Sequence, residues 1–389
     1  MLSSLSRRAQ RVSSPGHARI AELATSMKLD GADVIDLSAG RPAESTPHYI
    51  CEAAAAALIS GGTHQTLTQG SPEFRRACAQ KLARDNAIIA DPDRSIVATL
   101  GGKQGLLLAL IASLNHGDEV IIEDPCFMSY DPAIRFAGGQ PIRVPLLKDN
   151  GYHWSEAALE SAVTRHTRAI VVSSPHNPTG RVHTEEDMTL LANVAQAHDL
   201  LVIVDETYEQ LVWNGQHRSL ANWPGMQDRT ITLMSLNKAF SMGGWRIGFN
   251  HGPEPLVKAM INVQQHLVSS SSSFAQAGAT VAMSDLPPRE LKDLWTDWEN
   301  RIQFAVGEIN TMSCASCEIP DAGFYAWIDI RHSGISSKEM AHRLLQDQHV
   351  GLVPGSAFGQ QGEGFLRMTC VKSWRDIRAG VKRIRKVLG

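Results

Sequence analysis

Lys238 is the residue with the clearest chemical potential in this sequence. Its neighbours along the chain include Leu236, Phe240, Met242 and Trp245, which is an unusually apolar setting for a surface lysine. Burial disfavours the charged form of an amine and frees the nitrogen lone pair to form a Schiff base with a carbonyl. The stretch therefore indicates a lysine that binds an aldehyde.

Two nearby patterns contain groups that bind phosphate. Ser235 precedes the lysine by three residues and Arg246 follows it by eight, and both side chains donate hydrogen bonds suited to an anion. Earlier in the chain, Gly101 and Gly102 separate a predicted strand from a helical run, so backbone N–H groups at the helix start can face an anion. On its own, a Gly-Gly turn is more typical of a simple connection.

Two further loops carry polar groups directly after predicted strands. Asp205 ends a strand and Tyr208 follows it closely, while prolines on both sides fix the backbone around Asn177. Each has a plain alternative, since Asp205 can cap the next helix and the proline loop can be a rigid connection. Ligands of open parallel sheets bind where the carboxyl ends of the strands meet. Together, a reactive lysine, a carboxylate, a phenol and a phosphate cradle describe a pyridoxal phosphate site.

The composition is that of a folded protein that works on small molecules. Of 389 residues, 43% are apolar, which suffices for a large core and excludes a disordered chain. The 37 Lys and Arg nearly balance the 40 Asp and Glu, so no strong field attracts nucleic acid or an anionic membrane. No apolar run approaches the roughly 18 residues of a membrane helix. We expect reduced thiols and a cytoplasmic location. We also expect no metal, because the Cys314 and Cys317 pair lacks further ligands.

The elements that position these groups alternate between strand and helix. Short runs rich in Val and Ile, apolar on both faces, predict an α/β fold with a mostly parallel sheet covered by helices. The predicted strands of this sheet are 95–99, 119–123, 169–173, 201–205, 230–234 and 246–249. We predict a large domain at 46–285, a smaller α/β domain at 286–389, and an N-terminal arm at 1–45 that forms part of the smaller domain.

These motifs resemble those of the class I/II aminotransferases, which are fold-type I pyridoxal-phosphate enzymes. The resemblance covers nearly the whole chain and is most specific at SPHNPTG (174–180), DETYEQLVW (205–213) and SLNKAFSMGGWRIGF (235–249). It is closest in look to the bacterial aspartate and prephenate aminotransferases. It implies a homodimeric enzyme that uses pyridoxal 5'-phosphate to move an amino group from an L-amino acid to a 2-oxo acid by a ping-pong mechanism.

The resemblance implies a role for each candidate cofactor contact. Lys238 holds the cofactor as an aldimine and moves the substrate Cα proton, and Asp205 pairs with the pyridine nitrogen. Tyr208 and Asn177 hydrogen-bond the phenolic oxygen of the ring. The remaining contacts, mostly to the phosphate, are Gly102, Lys103, Gln104, Phe127, Ser235 and Arg246, of which Phe127 matches the aromatic residue that stacks on the ring.

Four residues match positions that bind the substrate. Arg367 matches the arginine that grips the α-carboxylate, with an exposed strand arginine as the alternative. Gly40 and Asn177 complete this set. Lys103 matches a lysine that binds the distal carboxylate in the aspartate-using subgroup, which favours an aspartate- or glutamate-like donor, although an outward-pointing lysine is the plain alternative.

Two of the departures from the family pattern concern cofactor and substrate binding. Gln65 stands where a tyrosine is usually lent across the dimer to the phosphate, and Arg41 replaces an acidic residue near the substrate entrance. Arg41 either favours an anionic substrate or faces solvent. The serine tract 269–273 matches a segment that reaches the partner subunit's site, although its composition alone indicates a flexible linker.

Other functions remain open from the sequence. A pyridoxal-phosphate lyase, which eliminates a β-substituent or removes a carboxylate, has the same fold, and fold alone cannot exclude it. A cofactor-binding regulator would carry a DNA-binding module, for which the balanced charge gives no support. A nicotinamide dehydrogenase is disfavoured because no G-x-G-x-x-G motif follows a predicted strand.

Overall fold

Strands and helices alternate along most of the chain. The structure is a computed structural model that describes residues 16–284 and 287–389, so the first 15 residues of the predicted arm lie outside it. The strands are β1 (Ile35–Asp36), β2 (Ile96–Thr99), β3 (Glu119–Asp124), β4 (Gln140–Pro145), β5 (Thr167–Ser173), β6 (Leu201–Asp205), β7 (Thr230–Ser235), β8 (Gly248–His251), β9 (Ser316–Cys317), β10 (Tyr325–Asp329), β11 (Val350–Gly351), β12 (Val353–Pro354) and β13 (Phe365–Thr369). The α-helices are α1 (Gly16–Leu29), α2 (His48–Ile59), α3 (Pro72–Asn86), α4 (Gly102–Ser113), α5 (Tyr130–Phe136), α6 (Glu156–Ala162), α7 (Glu185–Ala197), α8 (Glu254–Leu267), α9 (Ser273–Ala282), α10 (Arg289–Ile309), α11 (Ser337–Gln348) and α12 (Trp374–Leu388).

Seven strands form one large sheet in the order β2-β8-β7-β6-β5-β3-β4. All neighbours pair in parallel except β8, which is antiparallel to both β2 and β7. The middle strands are buried on both faces, with apolar clusters above and below, which is the reason their sequences are apolar throughout. The predicted α/β fold with a mostly parallel sheet is confirmed.

Two details of the predicted sheet are wrong. The strand predicted at 246–249 begins only at Gly248, because Arg246 has a left-handed backbone (φ 53°) that ends regular strand geometry. This strand also runs against its neighbours. β4 was not predicted; it is a half-exposed edge strand with a proline at its second and last positions, so its sequence lacks the continuous apolar run of the inner strands.

The C-terminal residues form a second sheet in the antiparallel order β12-β13-β10-β9. The short N-terminal strand β1 pairs in parallel with β11, so residues near position 35 lie beside the C-terminal elements. Apolar residues of the large-sheet region and of the C-terminal region share one continuous core, which includes Phe74, Trp298 and Phe324. The domain boundaries at 45 and 285 remain a prediction.

The parallel pairing brings several strand ends together at one edge of the large sheet. β3, β5, β6 and β7 end there at Asp124, Ser173, Asp205 and Ser235, and β2 ends there beside the start of β8. Every polar loop singled out in the sequence of this region therefore starts from the same edge. No helix within the described residues is long and apolar enough to cross a membrane.

Candidate active site

A cavity of about 630 Å³ lies at this edge, and its wall combines loops of the large sheet with strands of the C-terminal sheet. The predicted site residues that line it are Gly40, Gly102, Lys103, Phe127, Asn177, Asp205, Tyr208, Ser235, Lys238, Arg246 and Arg367. Gln104 instead turns its amide to the backbone N–H of Leu100 and to Gln264. Its own N–H donates to Gly101 O at 3.1 Å, which leaves that group committed within the turn.

Lys238 lies in the loop after β7, on a base of buried apolar side chains. Leu236, Phe240 and Met242 are each buried, as the sequence suggested. The amine Nζ donates a hydrogen bond to Gly40 O at 2.8 Å and lies 5.7 Å from the centre of the Phe324 ring. The lysine is therefore held toward the cavity rather than toward solvent.

Asp205 faces the cavity from the end of β6. Its carboxylate accepts hydrogen bonds from the Thr207 hydroxyl (2.6 Å), the Thr207 N–H (3.1 Å) and the Tyr130 hydroxyl (3.0 Å). Burial raises the pKa of Asp205, while these bonds and the charge of Lys238 act in the opposite direction. The carboxylate is thus fixed in orientation and gains from a cationic partner that would enter the cavity.

Tyr208 forms a pair with Tyr325 on β10, and their hydroxyl oxygens are 3.1 Å apart. Burial and the neighbouring phenol raise the pKa of Tyr208. Burial acts in the same way on Tyr325, but the guanidinium of Arg367 and the charge of Lys238 outweigh it and lower the pKa of Tyr325. Tyr208 is therefore the phenol that keeps its proton more firmly.

One end of the cavity carries the groups expected for a phosphate. Gly101 caps α4 with φ 85°, and a Cβ on it would lie 2.8 Å from the Asn237 amide and 3.1 Å from Arg246 Nη2. A Cβ on Gly102 would lie 3.5 Å from Thr207 Oγ1 and 3.7 Å from Ser235 Cβ, so these groups surround the first turn of the helix. That turn leaves backbone N–H groups without helical partners, and it carries the positive end of the helix dipole.

Arg367 lies on β13 and is only 3% exposed, so the alternative of a solvent-facing strand arginine is wrong. Its Nη1 donates to Asn177 Oδ1 at 2.9 Å and its Nη2 donates to Ser38 O at 3.2 Å. The guanidinium stacks 4.0 Å from the centre of the Tyr325 ring and 4.8 Å from that of Phe358. These acceptors are neutral, and Nε has no partner among the described residues, so the site favours an anion that completes the pairing.

Cationic groups surround the open side of the cavity. Lys103 and Arg41 both line it, and Lys103 Nζ lies 5.6 Å from the centre of the Phe127 ring. Although Lys103 as a whole is exposed, the cavity walls partly desolvate its ammonium group, which lowers its pKa, and the charges of Lys238, Arg246 and Arg41 lower it further. This rim is suited to a second anionic group.

Sequence reasoning missed several residues that complete the site. Tyr130, Thr207 and Tyr325 line the cavity and contact the predicted residues directly. Three of the five tyrosines of the chain face this cavity, but only the structure shows this. Nothing in the local sequence of β10 distinguishes Tyr325 from an ordinary core residue.

Comparison with known proteins decides the family. A sequence model described as "Aminotransferase class I and II" matches residues 32–384, which is most of the chain. The chain belongs to the class I and II aminotransferases. It is similar to the aspartate aminotransferase of Pyrococcus abyssi (strain GE5 / Orsay), with 36% identity over 372 residues that cover 95% of this chain and 94% of the relative.

Other aminotransferases are similar over comparable lengths. The aromatic-amino-acid aminotransferase 2 of Thermococcus litoralis is 37% identical over 91% of this chain and 92% of the relative. The solved structure of Thermus thermophilus aspartate aminotransferase with maleate superposes with a TM-score of 0.93 at 32% identity and covers 100% of both chains. These likenesses also confirm the fold-type expectation.

Class I and II aminotransferases of this fold depend on pyridoxal phosphate, and the residues of this aminotransferase fit that cofactor. The cavity offers an amine at Lys238, a carboxylate at Asp205 and a helix start flanked by Ser235 and Arg246. These are the partners that an aldehyde, a pyridine nitrogen and a phosphate require. Among the described residues, no group of His, Cys, Asp or Glu is arranged to hold a metal ion.

The burial of Asp205 leads to a test that separates function from stability. Because its pKa is raised in the folded protein, the ionised carboxylate opposes folding of the cofactor-free enzyme once the pH exceeds the ordinary range of aspartic acid. We expect Asp205→Asn to lower kcat/KM by about 100-fold or more, since a neutral amide cannot stabilise a cationic ring nitrogen. Thermal unfolding of the cofactor-free variant at pH 7 should show no loss of stability.

The control is Asp199→Asn, since that carboxylate is 87% exposed and is remote from the cavity lining. Near-normal activity of Asp205→Asn, or a large fall in its unfolding temperature, would contradict the assignment.

Proposed function

We propose that this aminotransferase moves the amino group of an aspartate- or glutamate-like L-amino acid to a 2-oxo acid by a ping-pong mechanism. The observation that carries the proposal is the buried Arg367 guanidinium, whose neutral partners leave it suited to a carboxylate in the same cavity as Lys238. The cationic rim formed by Lys103 and Arg41 supports a second carboxylate on the substrate.

Arg367 would bind and orient the α-carboxylate. Its planar fork makes two parallel hydrogen bonds, which fixes the direction of the bonds at the substrate Cα. The same short loop contributes Ser38 O to Arg367 and Gly40 O to Lys238, so a carboxylate held by the arginine brings Cα close to the amine. This proximity suits Lys238 to take a proton from Cα and to return it to a different atom of the substrate or cofactor.

Pyridoxal phosphate, when bound, supplies an electron-withdrawing ring that weakens the bonds at the substrate Cα. Asp205 would hold a proton at the ring nitrogen, and its three hydrogen bonds fix the orientation of the carboxylate for this role. Tyr208 and Asn177 would donate to the phenolic oxygen, and Phe127 would stack on the ring. Gly102, Ser235 and Arg246 would bind the phosphate.

The ping-pong order is supported by the buried cation in the described cavity lining, which both substrates would share. Arg367 is the buried cation of the described cavity lining, so the amino acid and the 2-oxo acid, which both carry an α-carboxylate, would use it in turn. Relatives named as aspartate and as aromatic aminotransferases both occur, and the cationic rim residues Lys103 and Arg41 favour the acidic donor for this chain.

A homodimer is supported by an exposed apolar face. Leu67, Leu267, Val268 and Phe274 are between 38% and 60% exposed. Their segments lie side by side, since Gln276 donates to the Thr66 hydroxyl at 3.0 Å and Thr68 bonds Gln265. Exposed apolar groups clustered in this way are typical of protein interfaces. The face also contains Gln65 and the serine tract, which the family resemblance assigns to the shared site.

The cytoplasmic location stays a prediction.

The substrate proposal is tested by following the absorbance of the bound cofactor. We expect L-aspartate or L-glutamate to convert the spectrum to that of the amino form, and 2-oxoglutarate to restore it without release of ammonia. Accumulation of pyruvate and ammonia without any need for a 2-oxo acid would instead identify a lyase and contradict the proposal.

The same assay tests the rim. Lys103→Met should raise KM for L-aspartate by about tenfold, because a charge-assisted hydrogen bond contributes roughly 1.5 kcal/mol or more, and should leave KM for L-alanine nearly unchanged. Lys382→Met, on the exposed face of α12, is the matched control. An equal change for both amino acids would show that Lys103 does not recognise the side-chain carboxylate.

The dimer proposal predicts that a charge at the apolar face separates the subunits. Phe274→Asp should give a monomer in sedimentation analysis, since an unpaired buried carboxylate opposes association. Ile319→Asp places the same charge at another exposed apolar position, 58% exposed, and should not alter the oligomeric state. An unchanged dimer in the Phe274 variant would move the interface elsewhere.

A further inference from the structure

A cluster of titratable side chains lies behind the cavity wall and has no part in the proposed chemistry. Glu123, His176, His183 and Asp187 are all at least 94% buried, and they lie outside the set of described residues that line the cavity. Such groups are rarely buried unless they are paired, so their hydrogen-bond partners show which segments of the chain the cluster connects.

Glu123, at the end of β3, is the centre of the cluster and is fully buried. Its Oε1 lies 2.7 Å from His183 Nε2, and its Oε2 accepts the backbone N–H of Ser173 at 3.0 Å. Ser173 is the last residue of β5 and itself lines the cavity. The carboxylate therefore ties His183 to the first residue of the segment Ser173 to Gly180, which we name the asparagine loop.

His183 is held in its charged form by two carboxylates. Burial lowers its pKa, but the hydrogen bonds and charges of Asp187 and Glu123 outweigh burial and raise the pKa to about 9. Asp187 lies 3.7 Å from His183 Nδ1 and also accepts from the Trp154 N–H at 3.0 Å. The half-exposed His153, 2.9 Å from Asp187, is the outermost group of the cluster. Glu123 and His183 thus form a buried ion pair at neutral pH.

His176, within the asparagine loop, lies beside this pair and is neutral. Burial is the main cause that lowers its pKa, although Glu123 acts against it from 3.6 Å. Its Nε2 donates to Pro125 O at 3.0 Å, because a carbonyl can only accept, so Nδ1 accepts from the Thr179 hydroxyl at 2.7 Å. The loop is therefore fastened at two points, to Glu123 through Ser173 and to the Pro125 carbonyl through His176.

Asn177 follows His176 directly and carries the loop's contact with the cavity. Its Oδ1 accepts from Arg367 Nη1 at 2.9 Å, which leaves the amide nitrogen for the cavity. A displacement of His176 or Ser173 would move this amide relative to the arginine and to any bound ring. An error of about 1 Å at such a group is enough to reduce catalysis strongly.

We propose that the buried Glu123–His183 ion pair is a positioning element of the active site, which fixes the asparagine loop and through it the Asn177 amide that lines the cavity and would face the cofactor. The inference rests on the proposed role of Asn177. Desolvation makes a buried ion pair a poor source of stability compared with apolar packing, so stability alone is a weak reason for its presence.

The test uses the absorbance of bound pyridoxal phosphate as a readout that does not depend on turnover. Glu123→Gln removes the charge at nearly constant size. We expect it to shift the pH midpoint of the cofactor's spectral change by about half a unit or more, in the same direction as Asn177→Ala, because an amide donor near the ring tunes its proton equilibrium. The comparison is made below pH 9, where His183 remains charged.

A double-variant cycle decides whether the pair acts through Asn177. In the Asn177→Ala background, Glu123→Gln should cause no further shift, since the group that it positions is gone. The control is Glu160→Gln, which removes the carboxylate of the exposed His198–Glu160 pair, whose N–O distance is 2.9 Å. This control should leave the midpoint unchanged.

The outcomes are distinct. If Asn177→Ala shifts the midpoint and Glu123→Gln does not, or if their shifts add, the positioning role is overturned while the proposed function stands. If Asn177→Ala itself causes no shift, the role of Asn177 fails and the inference falls with it. Should Glu123→Gln not fold because it leaves His183 as a lone buried charge, the double variant Glu123→Gln with His183→Gln removes both charges and is expected to show the same shift.

Discussion

The convergence of parallel strand ends at one edge of the sheet is the constraint on which the rest of the structure depends. β3, β5, β6 and β7 end side by side, so loops that are far apart in the sequence place Phe127, Asn177, Asp205 and Lys238 around one cavity. The antiparallel β8 begins at the same edge and brings Arg246 back to the start of α4. The phosphate-binding residues and the reactive amine thereby lie in short segments next to the ends of the buried strands and the start of α4.

The C-terminal sheet adds a buried cation and a third phenol to the cavity. Arg367 and Tyr325 come from neighbouring strands β13 and β10, and the guanidinium stacks on the phenol ring. The contacts of Arg367 with Asn177 and Ser38 join this sheet to loops from both earlier regions of the chain. With the proposed roles of Arg367 and Asn177, these hydrogen bonds would couple substrate binding to cofactor binding.

Much of this site could be predicted because its chemistry depends on local sequence. Lys238 lies in an apolar stretch, Asp205 ends a buried strand, and both lie where the pattern indicated. Tyr325 could not be predicted, since it reaches the cavity only through the pairing of a separate sheet. The N–H of Gln104 bonds Gly101 O inside the first turn of α4, a contact that the sequence does not reveal, and the cofactor role of this residue stays a prediction. The antiparallel direction of β8 could not be predicted either, since an apolar run does not show how a strand is oriented relative to its neighbours. Arg246 fits a strand by its sequence, but its backbone is left-handed.

Lys238 is proposed as the amine that captures the cofactor, although Lys103 lies in the same cavity and burial lowers the pKa of Lys103. The most direct measurement is to reduce the protein loaded with pyridoxal phosphate with borohydride and to identify the modified lysine by peptide mass spectrometry. We expect the pyridoxyl group on Lys238 alone, because its Nζ is held at Gly40 O, in the same short loop whose Ser38 O accepts a hydrogen bond from Arg367. Modification of Lys103 in its place, or of no lysine in the cavity, would contradict the account.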